Sequence, residues 1–114
     1  MMSLGFTTGE ALHEERKLQG AVAELDNAVV AFFWEGERPR LGTLTVTLPD
    51  RSSSSLLGDR DRQLGLILGG QLATLTGKMA LVSVNLPVGL GDEAGRTLLE
   101  LARGLVGGDG DEDG

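Results

Sequence analysis

The sequence predicts an α+β fold: a mainly antiparallel sheet of five to six strands with two helices on one face, the other face left for dimerisation in a sheet-on-sheet sandwich. Three observations carry this prediction. Residues 41–48 alternate, with Leu44, Val46 and Leu48 against Thr43, Thr45 and Thr47, which is the period of a strand. Residues 28–34 are an unbroken apolar run, too short for a typical helix and suited to a strand buried on both faces. Leu64, Ile67, Leu68, Leu72 and Leu75 recur at three- and four-residue spacing, the period of a one-sided helix. No repeat of useful period is present, and 114 residues suffice for one domain with a single core.

In chain order, residues 3–8 (SLGFTT) form the expected first strand, and the polar stretch GEALHEER reads as a link. Residues 17–25 alternate, with Leu18, Gly20 and Val22 on one side and Gln19, Ala21 and Ala23 on the other. Asp26 and Asn27 suit a two-residue hairpin turn, because Asn tolerates positive φ. After the run 28–34 comes a polar loop, 35–40, holding Gly36 and Pro39. Beyond the alternating strand, 49–54 reads as a turn or mobile loop, and Leu56 and Leu57 close an extended segment. Gly58 frees the backbone to turn, and Asp59 or Asp61 can accept the orphan N–H groups at the positive end of a helix. Gly77 ends that helix where a left-handed residue is wanted, with Lys78 near the negative end. Residues 79–86 read as a largely buried strand stopped by Pro87, and 87–91 as a connection. Asp92 caps a second helix running to about Val106, with Leu98, Leu99, Leu101, Ala102 and Leu105 as its apolar side. From Gly107 the chain is glycine and acid only. The expected organisation is therefore one α+β domain, 1–106, and a disordered acidic tail, 107–114.

These signals agree best over residues 55–86, SLLGDRDRQLGLILGGQLATLTGKMALVSVNL. The landmarks are Ser55, Leu56, Leu57, Gly58 and Asp59, then Leu72 and Ala73 before the helix end, then Lys78, Val82, Ser83, Asn85 and Leu86. In order and spacing, without a gap, they resemble the proteasome assembly chaperone 4 family. Phe32-Phe33-Trp34-Glu35-Gly36 is similar to that family's aromatic strand end with Trp-x-Gly. Together the two matches cover under half the chain. The resemblance implies a protein that is not an enzyme and that pairs with a sister chaperone. The paired sheets with outer helices would form a layered sandwich like that of a proteasome subunit. Such a pair engages α-type subunits, guides α-ring assembly and then leaves. Leu56, Leu57, Gly58, Asp59, Ser83 and Asn85 read as fold determinants, so no contact with an α subunit is carried over.

A dimer is also expected from the residues themselves. If Leu25 pairs with Ala28, then Val22 faces Ala31 and Ala21 faces Phe32. If Trp34 also pairs near Leu41, one face gathers Leu18, Val22, Val29, Ala31, Phe33, Leu44 and Val46, which suits the helices. The other gathers Ala21, Ala23, Val30, Phe32, Trp34, Thr43 and Thr45, the candidate dimer interface. A slip of one residue in the second pairing would exchange the faces of the strand at 41–48. Two helices can cover one face only, and a half-apolar sheet left wet marks an interface. The partner is a second copy or a sister chain.

Composition narrows the other classes. Of the net charge of −7, Asp109, Asp111, Glu112 and Asp113 account for four, which leaves −3 for the domain. Basic residues are scattered and only four aromatics exist, so nucleic acid is set aside as a partner. No apolar run approaches the ~20 residues of a membrane helix, and no basic segment leads into an apolar run as in a signal peptide. The absence of cysteine fits the cytosol or nucleus. His13 is the only histidine, in a polar segment; one imidazole without cysteines makes no metal site, so it reads as a surface histidine, with no metal ligand and no catalytic residue expected. Gly89, Gly91 and Gly95 echo a dinucleotide loop, but no strand is expected after the helix they open, so they read as a connection and helix start. Gly77-Lys78 lacks the other residues of a phosphate loop, and Ser52 to Ser55 have no base nearby. No cofactor is expected. The leading expectation is a proteasome assembly chaperone. The alternative is a roadblock- or longin-like dimeric scaffold regulating a small GTPase, and a nucleotide-dependent enzyme rests on the glycine loop alone.

Overall fold

A computed structural model describes the backbone of residues 5–113 and the side chains of residues 5–106. The chain runs β1 (Thr7–His13), β2 (Arg16–Glu24), β3 (Ala28–Glu35), β4 (Thr43–Thr47), β5 (Ser53–Leu57), α1 (Arg62–Thr76), β6 (Met79–Asn85) and α2 (Leu90–Asp113). The six strands form one mixed sheet in the order β1-β2-β3-β6-β4-β5. Only β3 and β6 run parallel. This is the expected α+β class.

The first strand is displaced from its expected place. Residues 3 and 4 lie outside the described residues, and most of the supposed link GEALHEER belongs to β1 and its turn. The inward positions of β1 include Gly9 and Ala11, so apolar alternation is muted. Gly9 lies close under α2, where a Cβ would stand 3.1 Å from Leu105 Cδ2. Glu14 and Glu15 then close the β1–β2 hairpin with φ of 51° and 71°, the left-handed pair a two-residue turn requires. The β2–β3 hairpin keeps the expected register, Ala21 opposite Phe32 and Val22 opposite Ala31, and Leu25 N–H donates to the Ala28 carbonyl.

The expected pairing of the Trp34 and Leu41 strands does not form, because β6 lies between them. An apolar run buried on both faces stabilises a central position more than an edge one. With β6 as the neighbour, Thr43, Thr45 and Thr47 stand opposite Val84, Val82 and Ala80, and their side chains face the helices. Leu44 and Val46 turn to the other side. The faces of β4 are therefore exchanged relative to the expectation, while those of β2 and β3 are as expected. Ser53 and Ser54, read as loop, begin the edge strand β5.

Both helices pack on one side of the sheet. The core joins Leu18, Val29, Phe33, Val82 and Val84 of the sheet to Leu68, Leu72 and Leu98 of the helices. In α1, Leu64, Leu68 and Leu72 are buried beside Gly65, Gly69 and Ala73, whereas Ile67 and Leu75 are 51% and 45% exposed. The glycines permit close approach: a Cβ on Gly65 would stand 3.1 Å from Thr45 Oγ1, and one on Gly69 2.6 Å from Thr47 Oγ1. Gly77 ends α1 at φ 71°, its N–H bonded to the Ala73 carbonyl at 2.8 Å, as expected. At the other end Asp61 holds the cap position, but its side chain makes no capping hydrogen bond, contrary to expectation. The second helix starts at Leu90, and Ala94, Leu98, Ala102 and Leu105 form its buried column. The expected disorder from residue 107 falls where no side chains are described. Among the described residues no helix is long and apolar enough to cross a membrane.

Candidate interaction face

The sheet surface opposite the helices is built by alternation and register. From β2 come Gln19, Ala21 and Ala23, and from β3 come Val30, Phe32 and Trp34. β6 adds Leu81, Ser83 and Asn85, β4 adds Leu44 and Val46, and β5 adds Leu57 opposite Leu44. Val30, Phe32, Leu44, Val46 and Leu81 are half-buried, and Leu57 is 55% exposed. Ala21 and Ala23, opposite Phe32 and Val30, are buried. An apolar strip thus crosses from β3 over β6 and β4 to the β5 edge.

One end of this strip is roofed by the chain itself. Trp34 is only 6% exposed. With Phe6, Gln19, Ala21, Phe32, Glu37 and Pro39 it lines a groove of about 500 Å³. The Phe6 and Phe32 rings stand 6.0 Å apart at 51°. Gln19 donates its amide to the Gly36 carbonyl, and Lys17 pairs with Glu37 at 3.0 Å, which ties the loop after β3 down beside the groove. That hydrogen bond to Glu37 and the nearby Glu10 carboxylate hold the Lys17 ammonium above its ordinary range.

Of the seven candidate interface residues, Ala21, Ala23, Val30, Phe32 and Trp34 lie together on the open face. Thr43 and Thr45 lie on the opposite side beneath α1, and the Thr43 hydroxyl donates to the Arg60 carbonyl. Leu44, Val46, Leu81 and Leu57 complete the strip and were not among the candidates. Those on β4 and β6 were hidden by the missed β6 insertion. Leu57, expected to close an extended segment as a fold determinant, ends β5 opposite Leu44.

The other motif residues divide by task. Ser83 Oγ accepts the Gly42 N–H at 2.9 Å, and Asn85 Nδ2 donates to the Leu41 carbonyl at 3.1 Å. The pair fixes the entry into β4, where Gly42 passes so close to the Val84 carbonyl that a Cβ would collide with it. Gly58, at φ 84°, packs on Thr43, and the Asp59 carbonyl accepts the Arg62 N–H at 3.2 Å. Leu56 is exposed at the irregularity of β5.

The glycine connection before α2 is arranged differently from a phosphate cradle. The Asp61 carboxylate fills the space a Cβ on Gly91 would take, and among the described residues no strand follows α2. Burial pushes the Asp61 carboxyl above its usual range, Arg60 opposes this, and Asp92 adds to it. Two carboxylates at that spot would repel a phosphate.

Comparison with known proteins gives a likeness in fold. No family model matches the sequence, and no curated protein matches it. Among solved structures, a chain from the crystal structure of a chaperone complex for yeast 20S proteasome assembly is similar, with a TM-score of 0.69 and 10% sequence identity. The likeness covers 87% of this chain and 91% of that one. At that identity it establishes a shared fold.

Proposed function

We propose that this protein is a non-enzymatic assembly chaperone of the 20S proteasome, acting in the cytosol or nucleus as one half of a dimer. The observation that carries the reading is the pairing of two features. The chain shares its fold, over most of both lengths, with a chain of a yeast proteasome assembly chaperone complex. Among the described residues, the sheet face opposite the helices is also half-apolar and without a second layer. The Ser-Leu-Leu-Gly-Asp and Val-Ser-x-Asn-Leu landmarks support the same reading.

The dimer forms when the strip from Phe32 to Leu57 meets the sheet of a sister chaperone or of a second copy, as sheets stacked ~10 Å apart do. The free surface of the pair holds an α-type subunit by complementarity, so that α subunits join in ring order, and the completed ring displaces the chaperone. No chemical step is required. Pull-down of the full chain from native lysate, followed by cross-linking and mass spectrometry, tests the proposal. Proteasome α subunits cross-linked to the chain support it. Recovery of a small GTPase without α subunits would replace it with the scaffold reading.

A further inference from the structure

We propose that His13, Glu14 and Glu93 form a binding site for a divalent transition ion of the zinc type, independent of the sheet-face dimer. One imidazole nitrogen of His13 and one carboxylate oxygen of each glutamate lie within 4.8 Å of one another. His13 ends β1 with its side chain on the helix side. Glu14 follows in the left-handed turn, and Glu93 comes from the first turn of α2. The Nε2 atom of His13 is shut off from solvent and has no hydrogen-bond partner among the described residues. A buried imidazole nitrogen without a partner is costly, and a metal bond at Nε2 would remove that cost.

The donor set selects the ion. One imidazole and two carboxylates suit zinc and its neighbours, whereas calcium and magnesium prefer oxygen alone. Zinc bonds to such ligands at ~2.0–2.2 Å, which places ligand atoms roughly 3.3–3.5 Å apart around a tetrahedron. The three donors therefore need to close by little more than 1 Å, a movement the two exposed glutamate side chains can make by rotation. A fourth position is left for water. Arg16, on the adjoining strand end, is engaged with Glu35 at 3.6 Å. The bound ion would tie the β1–β2 turn to the start of α2, joining two segments that meet in space but lie some eighty residues apart in sequence.

The test uses the full untagged chain, freed of metal by chelation and titrated with zinc alone by calorimetry, with cobalt absorption reporting geometry. One equivalent should bind, with the strong visible bands of tetrahedral cobalt and a rise in melting temperature. His13→Gln and Glu93→Gln should each weaken binding by at least the ~10–100-fold that loss of an outer-shell partner costs a metal site. Glu100→Gln, on the same helix, should leave it unchanged. Both test variants sit at element ends, and metal-free melting checks that each keeps the fold. Failure to bind zinc, or binding of equal strength by wild type and His13→Gln, as the acidic residues after 107 alone would give, overturns the proposal.

Discussion

Residues that pack closest to a neighbour show their energetics most directly, and α1 provides a matched pair. Gly69 and Gly70 are adjacent, yet an added Cβ would meet Thr47 Oγ1 at 2.6 Å in one case and nothing within 4 Å in the other. Ala is better than Gly inside a helix by ~0.8–1.0 kcal/mol. Gly70→Ala should therefore stabilise the protein by about that amount. Gly69→Ala should destabilise it, because overpacking typically costs about 1–3 kcal/mol and the stiff β-branched Thr47 cannot rotate away freely. Urea unfolding of the two variants checks the sign of each change. Asp61 makes a prediction about pH. Its carboxyl is raised mainly by burial, so the unfolded chain ionises it more readily than the folded chain does. Its contribution to stability is then fullest below the ordinary aspartate value of ~3.9 and is lost as pH rises through the raised value. Asp61→Asn should be more stable than wild type at neutral pH, with the gap closing as the pH falls towards about 4. Asp50, lowered by its bond from the Ser52 hydroxyl, acts in the opposite sense but equally in both chains, so it cancels in the difference. An Asn variant less stable at neutral pH would mean that the start of α2 stabilises the charge.

At the scale of elements, the entry into β4 depends on two side chains of β6. Ser83→Ala leaves the Gly42 N–H without its acceptor, at a cost of about 1–3 kcal/mol if that group stays dry. The Gly42 amide should then exchange with solvent markedly faster, while amides of the β2–β3 hairpin keep their protection. Hydrogen exchange on both segments measures this, and uniform acceleration would mean that the whole sheet had loosened. The same region explains what was legible in the sequence. The β2–β3 register, the Gly77 stop and, within the helices, Leu64, Leu68, Leu72, Leu98, Ala102 and Leu105 follow from local periodicity and turn chemistry, so they could be read, whereas Ile67 and Leu75 share the period but point away from the sheet. The insertion of β6 between β3 and β4 is a non-local pairing. It alone decides that Thr45 faces α1 and Leu44 faces out, and no local pattern records it. β1 lies later in the chain than the strand expected at 3–8, because an edge strand under a close helix carries Gly9 and Ala11 where a strand signal needs bulk. Phe32 and Val30 were readable as interface candidates, whereas the grouping of His13 with Glu93 depends wholly on how α2 docks.

For the molecule as a whole, the asymmetry of the two sheet faces sets what it can do. One face is closed by two helices. The other carries Phe32, Leu81, Leu44 and Leu57 in a row, with the loop holding Glu37 and Pro39 covering only the Trp34 end. Substitutions on this face should therefore separate association from folding. Phe32→Asp and Leu57→Asp place a charge on side chains that are half-buried or exposed in the single chain, so each should leave the monomer folded while abolishing the proposed dimer. Trp34→Asp should instead destabilise the monomer, because that ring is already buried by its own chain. Thr45→Asp should do so more severely, since its charge would lie beneath α1 with no partner. Light scattering gives the mass of each variant, and thermal melts at several concentrations give its stability. A dimer joined through this face has a melting temperature that rises with concentration, and Leu57→Asp removes that dependence. If a sister chain is the natural partner, the isolated protein is a monomer and the same two substitutions block capture of the sister instead. A wild-type mass and partner set unchanged by both substitutions would place the interface elsewhere, since no sheet-on-sheet contact of standard size could bury two aspartates in the strip without loss.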